Sequence, residues 1–377
     1  MAGVYVHIPF CASRCSYCDF FSTLSLERAA EPYVEAVLAE AALRRGELRG
    51  ETVRTLYLGG GTPSQLPLPL LSRLVRGLDE AIGLSGVEEF TVEANPDDVT
   101  PEWCEALLAL GINRVSMGVQ SFEDDILRAI GRRHTAAQAV EAVSRLRQAG
   151  IGNISIDLIY GLPGQTLESW TWTLEQALAL APQHISAYGL TYEEGTRLWL
   201  QRERGEVNEV PEQAVVAMFG RLVERLRDAG YEHYEISNFS LPGYHSRHNS
   251  SYWDETPYLG LGAAAHSYDG EVRRSNPCDL MEYITALAAG RTVCQREELA
   301  LWERYDERVM LGLRTARGVD AARLREDFGE AFWRHFTREA RRHIDAGNLR
   351  REGERYVLTD DGIMLSDSVM RDLLWDE

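Results

Sequence analysis

From residue 4 to about residue 230, short β-branched runs alternate with stretches whose apolar positions recur every three or four residues. VYVHIP, TLYLGGG, EFTVEANP, RVSMGVQS, ISIDLIYGLP and HISAYGLT have the length and composition of buried strands. Between and after them, 32–45, 70–82, 102–110, 135–149, 167–180 and 212–229 carry the amphipathic period of helices, with Gly111, Gly150 and Gly230 as stop signals. Successive β-then-α units predict an α/β protein built on a parallel sheet, closed into a barrel or left open.

The pattern changes near Tyr231. The stretch that follows is rich in Tyr, His, Gly and Asn and predicts loops and short strands covering the rim of the sheet. From Leu301, ERYDERVMLGLRT, ARLREDFG and AFWRHFTREARRHIDAG predict three helices, and NLRREGERYVLTDDGIML a hairpin, together a small winged-helix-like module. The expected division is 1–240 for the sheet domain, 241–300 for a connecting α+β segment and 301–377 for the C-terminal domain.

Composition narrows the function. With 45% hydrophobic residues among 377, the chain can fill sizeable cores. No run approaches a membrane span, and the N-terminus enters a strand-like run without a leader pattern, so a cytoplasmic location is expected. The net charge of −19 repels a phosphate backbone, so nucleic acid is not an expected partner, even for the winged-helix-like module.

Three of the six cysteines fall within CASRCSYC, as Cys11, Cys15 and Cys18. In a reducing compartment this CxxxCxxC spacing points to a metal rather than to disulfides. Cys104, Cys278 and Cys294 lie far away and are expected to be structural. Zinc takes four protein ligands, or three with one open position. A [4Fe–4S] cluster takes four cysteines, so three would leave one iron open to another ligand. Parallel sheets bind ligands beyond the C-terminal ends of their strands. There the sequence places the cysteines, Gly59-Gly60-Gly61-Thr62, Glu93, Gln120 and Asp157, a pattern that suits one shared site.

Three cysteines at this spacing after a first strand, with a glycine-rich end to the second, resemble the radical S-adenosylmethionine (SAM) superfamily. The resemblance implies a partial (βα)6 TIM-like barrel carrying a [4Fe–4S] cluster whose open iron chelates SAM. Such a ligand needs an acceptor for its ammonium, a cation for its carboxylate and acceptors for its ribose. Glu93, Arg132, and Gln120 with Asp157 are candidates in that order, with Gly60, Gly61 and Thr62 allowing close approach. YVHIPFC, LGGGTPS, VEANP, GVQSF, DLIYGLPGQT and HNSSYW further resemble the oxygen-independent coproporphyrinogen III oxidase family over nearly the whole chain. Carried over residue by residue, that resemblance adds Tyr5 and Tyr17 to the SAM contacts.

Two departures imply the haem-chaperone branch of that family rather than its oxidases. Phe20 stands where the oxidases have a further cysteine, and only Met1-Ala2 precede Gly3 where they carry an extension. His248-Asn249-Ser250-Ser251-Tyr252-Trp253 fits the HNxxYW haem motif of the branch. From the residues alone, the same stretch reads rather as a buried His-Asn turn with two core aromatics, and it is the family resemblance that favours haem binding. His245 and His266 stand as reserve ligands. The resemblance thus implies haem as cargo, acceptor haemoproteins including membrane-bound ones, and a homodimer as one possible state. The alternative is oxidative decarboxylation of coproporphyrinogen III, and whether the chain is an enzyme stays open.

Overall fold

The computed structural model describes residues 2–375. Strands β1 (Ala2–Ile8), β2 (Val53–Gly60), β3 (Glu89–Ala94), β4 (Arg114–Gln120), β5 (Asn153–Tyr160) and β6 (His184–Gly189) lie side by side in sequence order, all parallel. Helices Leu26–Arg44, Leu68–Ile82, Pro101–Ala109, Ala136–Ala149 and Leu167–Ala179 return the chain; the first begins well before the predicted 32–45, with Pro32 inside it, and the others lie within two residues of their predicted spans.

The two faces of the sheet differ in chemistry. Val4, Val6, Leu56, Leu58, Val92 and Met117 pack with Val34, Leu74, Leu107 and Leu174 of the helices into the main core. The alternate positions are polar: Tyr5 and His7, Thr55 and Tyr57, Glu89 and Glu93, Arg114 and Ser116, Ser155 and Asp157. Period-two alternation on a parallel strand means that one face does not meet a helix layer.

Helix Arg247–Trp253 lies against this polar face. Its first backbone amides, from Arg247 and His248, each donate to the buried Glu89 carboxylate at 2.9 Å. His248 bonds Thr55 of β2, and the Ser246 amide donates to the Tyr234 hydroxyl at 3.3 Å. Tyr234 belongs to β7 (Glu232–Glu235), at the far edge of the sheet. One seven-residue helix reaches β2, β3 and β7 only because the sheet curls around it, which gives the partial barrel.

The segment after Tyr231 does not simply cover the rim, as the sequence suggested. It lengthens the sheet at both edges. β8 (Asn238–Ser240) pairs antiparallel with β6 and with β7. β9 (Tyr258–Leu261) pairs parallel with β1, and β10 (His266–Tyr268), β11 (Val272–Ser275) and β12 (Gln295–Glu298) continue antiparallel, giving twelve strands. Open edges carry unpaired amides and carbonyls, and these strands satisfy them. The expected connecting segment 241–300 is therefore continuous with the sheet domain.

The C-terminal module contains the expected helices Leu301–Leu313, Ala321–Phe328 and Glu330–Asp345, and a hairpin of β14 (Leu349–Glu352) and β15 (Arg355–Leu358). A short strand, β13 (Val319–Asp320), completes a sheet ordered β13-β15-β14, and helices Asp360–Met364 and Ser366–Leu373 follow. Tyr305, Val309, Leu324, Phe336 and Leu373 form its own core.

A buried polar hub ties helix Leu26–Arg44 to the β9–β10 turn. Glu40, 2% exposed, accepts from Arg44 (2.6 Å), the Gly262 amide (2.8 Å), Asn276 (2.7 Å) and the Tyr283 hydroxyl (2.6 Å). Arg44 also donates to Gly260 O (3.0 Å) and Ser267 Oγ (2.9 Å). Glu40→Ala removes one of Arg44's two carboxylate partners and leaves the Gly262 amide and the Tyr283 hydroxyl without an acceptor, so denaturant unfolding should show a loss of about 3–5 kcal/mol. Glu40→Gln should lose less.

Candidate cofactor and ligand site

The cysteine loop leaves β1 and is pinned along its length. Phe10 is fully buried edge-on against Tyr33, and across the loop's neck Cys11 N–H donates to Thr23 O at 2.9 Å while Thr23 N–H donates to Pro9 O at 2.7 Å. Ser16 N–H donates to Ile130 O at 3.0 Å, and Ser16 O accepts from Leu198 N–H at 2.7 Å. The three thiols consequently line one cavity of about 290 Å³ at the C-terminal ends of the strands. Tyr17, Gly60, Gly61, Thr62, Glu93, Gln120, Arg132 and Asp157 line it too.

Each of these side chains has a local cause for its position. Glu93 accepts from Tyr57 OH (2.8 Å) and Gly60 N–H (3.0 Å), so its carboxylate is held at the end of β3. It is half-buried and opens onto the cavity. Burial first, then repulsion from Asp157, pushes its carboxyl up to about 7. Burial likewise raises Asp157, against hydrogen bonds from Ser186 and Ser116. Gln120 follows a bulge in β4 and sits at φ 66°, a conformation rare for a residue with a side chain.

Arg132 places Nη1 3.3 Å from Cys15 Sγ and donates through Nη2 to Asn95 Oδ1 (2.6 Å) and Gly118 O. Its Nε is buried with no hydrogen-bond partner among the described residues, a cationic donor that an anionic ligand group would satisfy. Thr62 Oγ1 donates to Cys11 Sγ at 3.4 Å. Burial pushes the Cys11 thiol up and that of Cys18 to about 11, so metal capture must expel their protons. Among the described residues, no three His, Cys, Asp or Glu side chains come together closely enough to hold a single ion. Three cysteines around one shared cavity supply the donors of a cluster that keeps one iron open.

The glycines have a nearer cause than ligand approach. A Cβ on Gly60, at φ 113°, would lie 2.6 Å from the His7 ring, and one on Gly61 would lie 2.8 Å from the Pro9 carbonyl carbon. Sequence reasoning missed Asn95, Ser116, Gly118 and Tyr188, which also line the cavity. Asn95 was visible in VEANP beside Glu93; nothing in the sequence singled out Tyr188. Cys104 is buried as expected, whereas Cys278 is exposed in the turn before helix Leu280–Ala288.

Tyr5 does not join this cavity. It lines a second one, of about 480 Å³, with Phe20, Phe21, Tyr252, Trp253, Tyr258, His266, Arg273 and Glu307 among its walls. Phe20, 68% exposed, lines both cavities.

His248 lies beneath the second cavity and does not line it. It is 1% exposed; Nδ1 pairs with Thr55 Oγ1 and Nε2 with Tyr252 OH, each at 2.8 Å. Its ring stacks on Tyr57 with centroids 5.2 Å apart, and burial holds its pKa down at about 3, so it stays neutral. Asn249 lines neither cavity; its amide donates to Ser246 Oγ as part of the helix cap. Of the HNxxYW positions, Tyr252 and Trp253 reach the cavity.

A parallel partial barrel with three thiols at its rim is the architecture of a radical SAM protein, and the comparisons agree. Residues 5–177 match the Radical SAM superfamily and 299–365 match the HemN C-terminal domain. The structure of coproporphyrinogen III oxidase (HemN) from Escherichia coli shares the fold, with a TM-score of 0.85 at 23% identity over 99% of this chain and 89% of that one. Heme chaperone HemW of Lactococcus lactis is 37% identical, covering 100% of this chain and 98% of that protein. Heme chaperone HemW of Bacillus subtilis is 34% identical over 98% of each. The chain belongs to the HemN-like radical SAM family, in its HemW branch. No helix among the described residues is long and apolar enough to cross a membrane.

The Glu89 contact has a direct test. Glu89→Ala leaves the buried His248 amide and the part-buried Arg247 amide without their acceptor, at about 1–3 kcal/mol for the buried one. Amide hydrogen exchange should show the 247–253 helix losing protection before the parallel strands do.

Proposed function

We propose that this chain is a haem carrier, which binds haem and hands it to an acceptor haemoprotein while holding a [4Fe–4S] cluster and SAM. The observation that carries the proposal is the second cavity, walled by aromatic side chains and adjoining the cysteine cavity at Phe20, which lines both. Flat apolar faces with polar edges suit a porphyrin. Membership of the HemW branch, whose Lactococcus and Bacillus relatives bear the name heme chaperone, supports the same assignment.

In this proposal Cys11, Cys15 and Cys18 would hold the cluster and leave a position for SAM, and the cluster would supply one-electron chemistry there. Glu93 accepts from the SAM ammonium and the unsatisfied edge of Arg132 meets its carboxylate. Gln120 and Asp157 receive the ribose hydroxyls, while Gly60, Gly61, Thr62 and Tyr17 complete the pocket. Tyr5 acts from behind, through the aromatic layer shared with His248. Tyr252 and Trp253 contribute walls to the haem cavity, with His248 and Asn249 of the motif supporting them from below.

Two measurements test it. Anaerobically reconstituted protein should contain iron with acid-labile sulfide and should develop a Soret band on haem titration. Unchanged absorbance from the wild-type protein sinks the haem-carrier proposal, and conversion of coproporphyrinogen III under reductant and SAM would favour an oxidase instead. Cys→Ala at position 11, 15 or 18 should abolish the cluster while leaving the fold.

SAM binding should also depend on pH with a defined sign. The ammonium requires ionised Glu93, so below about pH 7 binding must expel its proton and affinity should fall by up to about tenfold per unit. Equilibrium dialysis from about pH 8 to about pH 6 should show that slope, and Glu93→Gln should bind weakly with the slope removed.

A further inference from the structure

We propose that His266, rather than the buried motif histidine His248, is the side chain that ligates haem iron in the second cavity. The inference rests on the haem-carrier proposal above and names the contact by which it works.

Two histidines line the cavity, His7 and His266. His7 is committed: Nε2 pairs with Phe21 O at 2.9 Å and Nδ1 with Tyr5 OH at 3.1 Å. Ligation by His248 would require it to surrender Thr55 or Tyr252 and to leave a stack between Tyr57 and Tyr5. His266 is exposed, and its ring nitrogens have no hydrogen-bond partner among the described residues. An imidazole nitrogen with no hydrogen bond to break can bind iron without loss of a partner.

The backbone beneath His266 is fixed although its ring is free. A Cβ on Gly260 would lie 1.9 Å from His266 O, so these two backbones are in direct contact. The next residue, Ser267, is buried and bonded to Arg44 and to the Gly260 amide, each at 2.9 Å. Ala264, two residues earlier and itself on the cavity wall, sits at φ 62°, which a non-glycine residue adopts only under constraint. An exposed ring on a buried, hydrogen-bonded and strained turn is positioned in advance for a ligand.

The remaining walls match an iron porphyrin. Tyr252, Trp253, Tyr258 and Phe20 offer ring faces, and Trp253 Nε1 is a buried donor without a partner among the described residues. Arg273, 44% exposed, holds Glu307 at 2.8 Å and can exchange that partner for a propionate. His266 also borders a neighbouring cavity lined by β11 and β12, so the proposed iron ligand stands at an opening and not in a closed pocket. A ligand at the mouth suits a carrier that must release its cargo.

The test compares haem with iron-free protoporphyrin IX on cluster-loaded wild-type protein, His266→Ala and His248→Asn, with cluster absorbance and circular dichroism confirming the fold. His266→Ala should weaken haem binding about tenfold or more and shift the Soret band, with millimolar imidazole restoring its position, while protoporphyrin IX binding stays unchanged. Wild-type spectrum and affinity in His266→Ala would overturn the assignment. So would loss of the histidine spectrum in a folded His248→Asn protein alone. Absence of haem binding by the wild type would instead remove the haem-carrier proposal on which the assignment rests.

Discussion

The carboxylate of Glu89 is the point on which the interior of the barrel depends. It belongs to β3, is buried, and receives two amides of the 247–253 helix. A helix N-terminus inside a protein carries orphan donors and partial positive charge, and an anion there answers both. Once this helix is seated, His248 reaches Thr55, the Ser246 amide reaches Tyr234, and the sheet is held in its curl. Tyr252 and Trp253 are then delivered to the cavity above. Without that acceptor the polar face of six strands would enclose unpaired groups instead of a structured plug.

The rim carries the opposite arrangement, with groups kept partly unsatisfied. Glu93 and Asp157 repel one another in a confined space, and Arg132 retains a buried Nε without a partner. Gln120 holds a left-handed backbone conformation. Such features cost stability in an empty protein and are recovered when a ligand brings complementary charge. The contrast between a satisfied lower barrel and an unsatisfied upper one separates support from function within a single set of strands.

Much of this was legible along the chain because it depends on local order. Strand and helix periods, glycine stops and the CxxxCxxC spacing are short-range, and they located the six parallel strands, their helices and the residues that line the rim cavity with the cysteines, whereas Tyr17 followed only from the family resemblance. Long-range pairing was not legible. That β9 adds to β1 across some 250 residues follows from edge satisfaction, which leaves no local trace. Tyr5 faces the second cavity, since alternation along a strand gives a face but not which of two cavities that face meets. His248 was open between ligand and core histidine for the same reason: a motif names residue types, whereas burial depends on what Thr55, Tyr57 and Glu89 bring from other strands.

The two cavities are joined by more than Phe20. Glu93 accepts from Tyr57, the Tyr57 ring stacks on His248, and His248 pairs with Tyr252, which lines the second cavity. Every member of this chain is packed and bonded, so a ligand that draws Glu93 away from Tyr57 changes the support of Tyr252 without any large movement. His248 can therefore be essential to both cavities while touching the contents of neither. The HNxxYW segment places a neutral imidazole where rigidity is needed, and under the proposal above the metal falls to a histidine on a different turn.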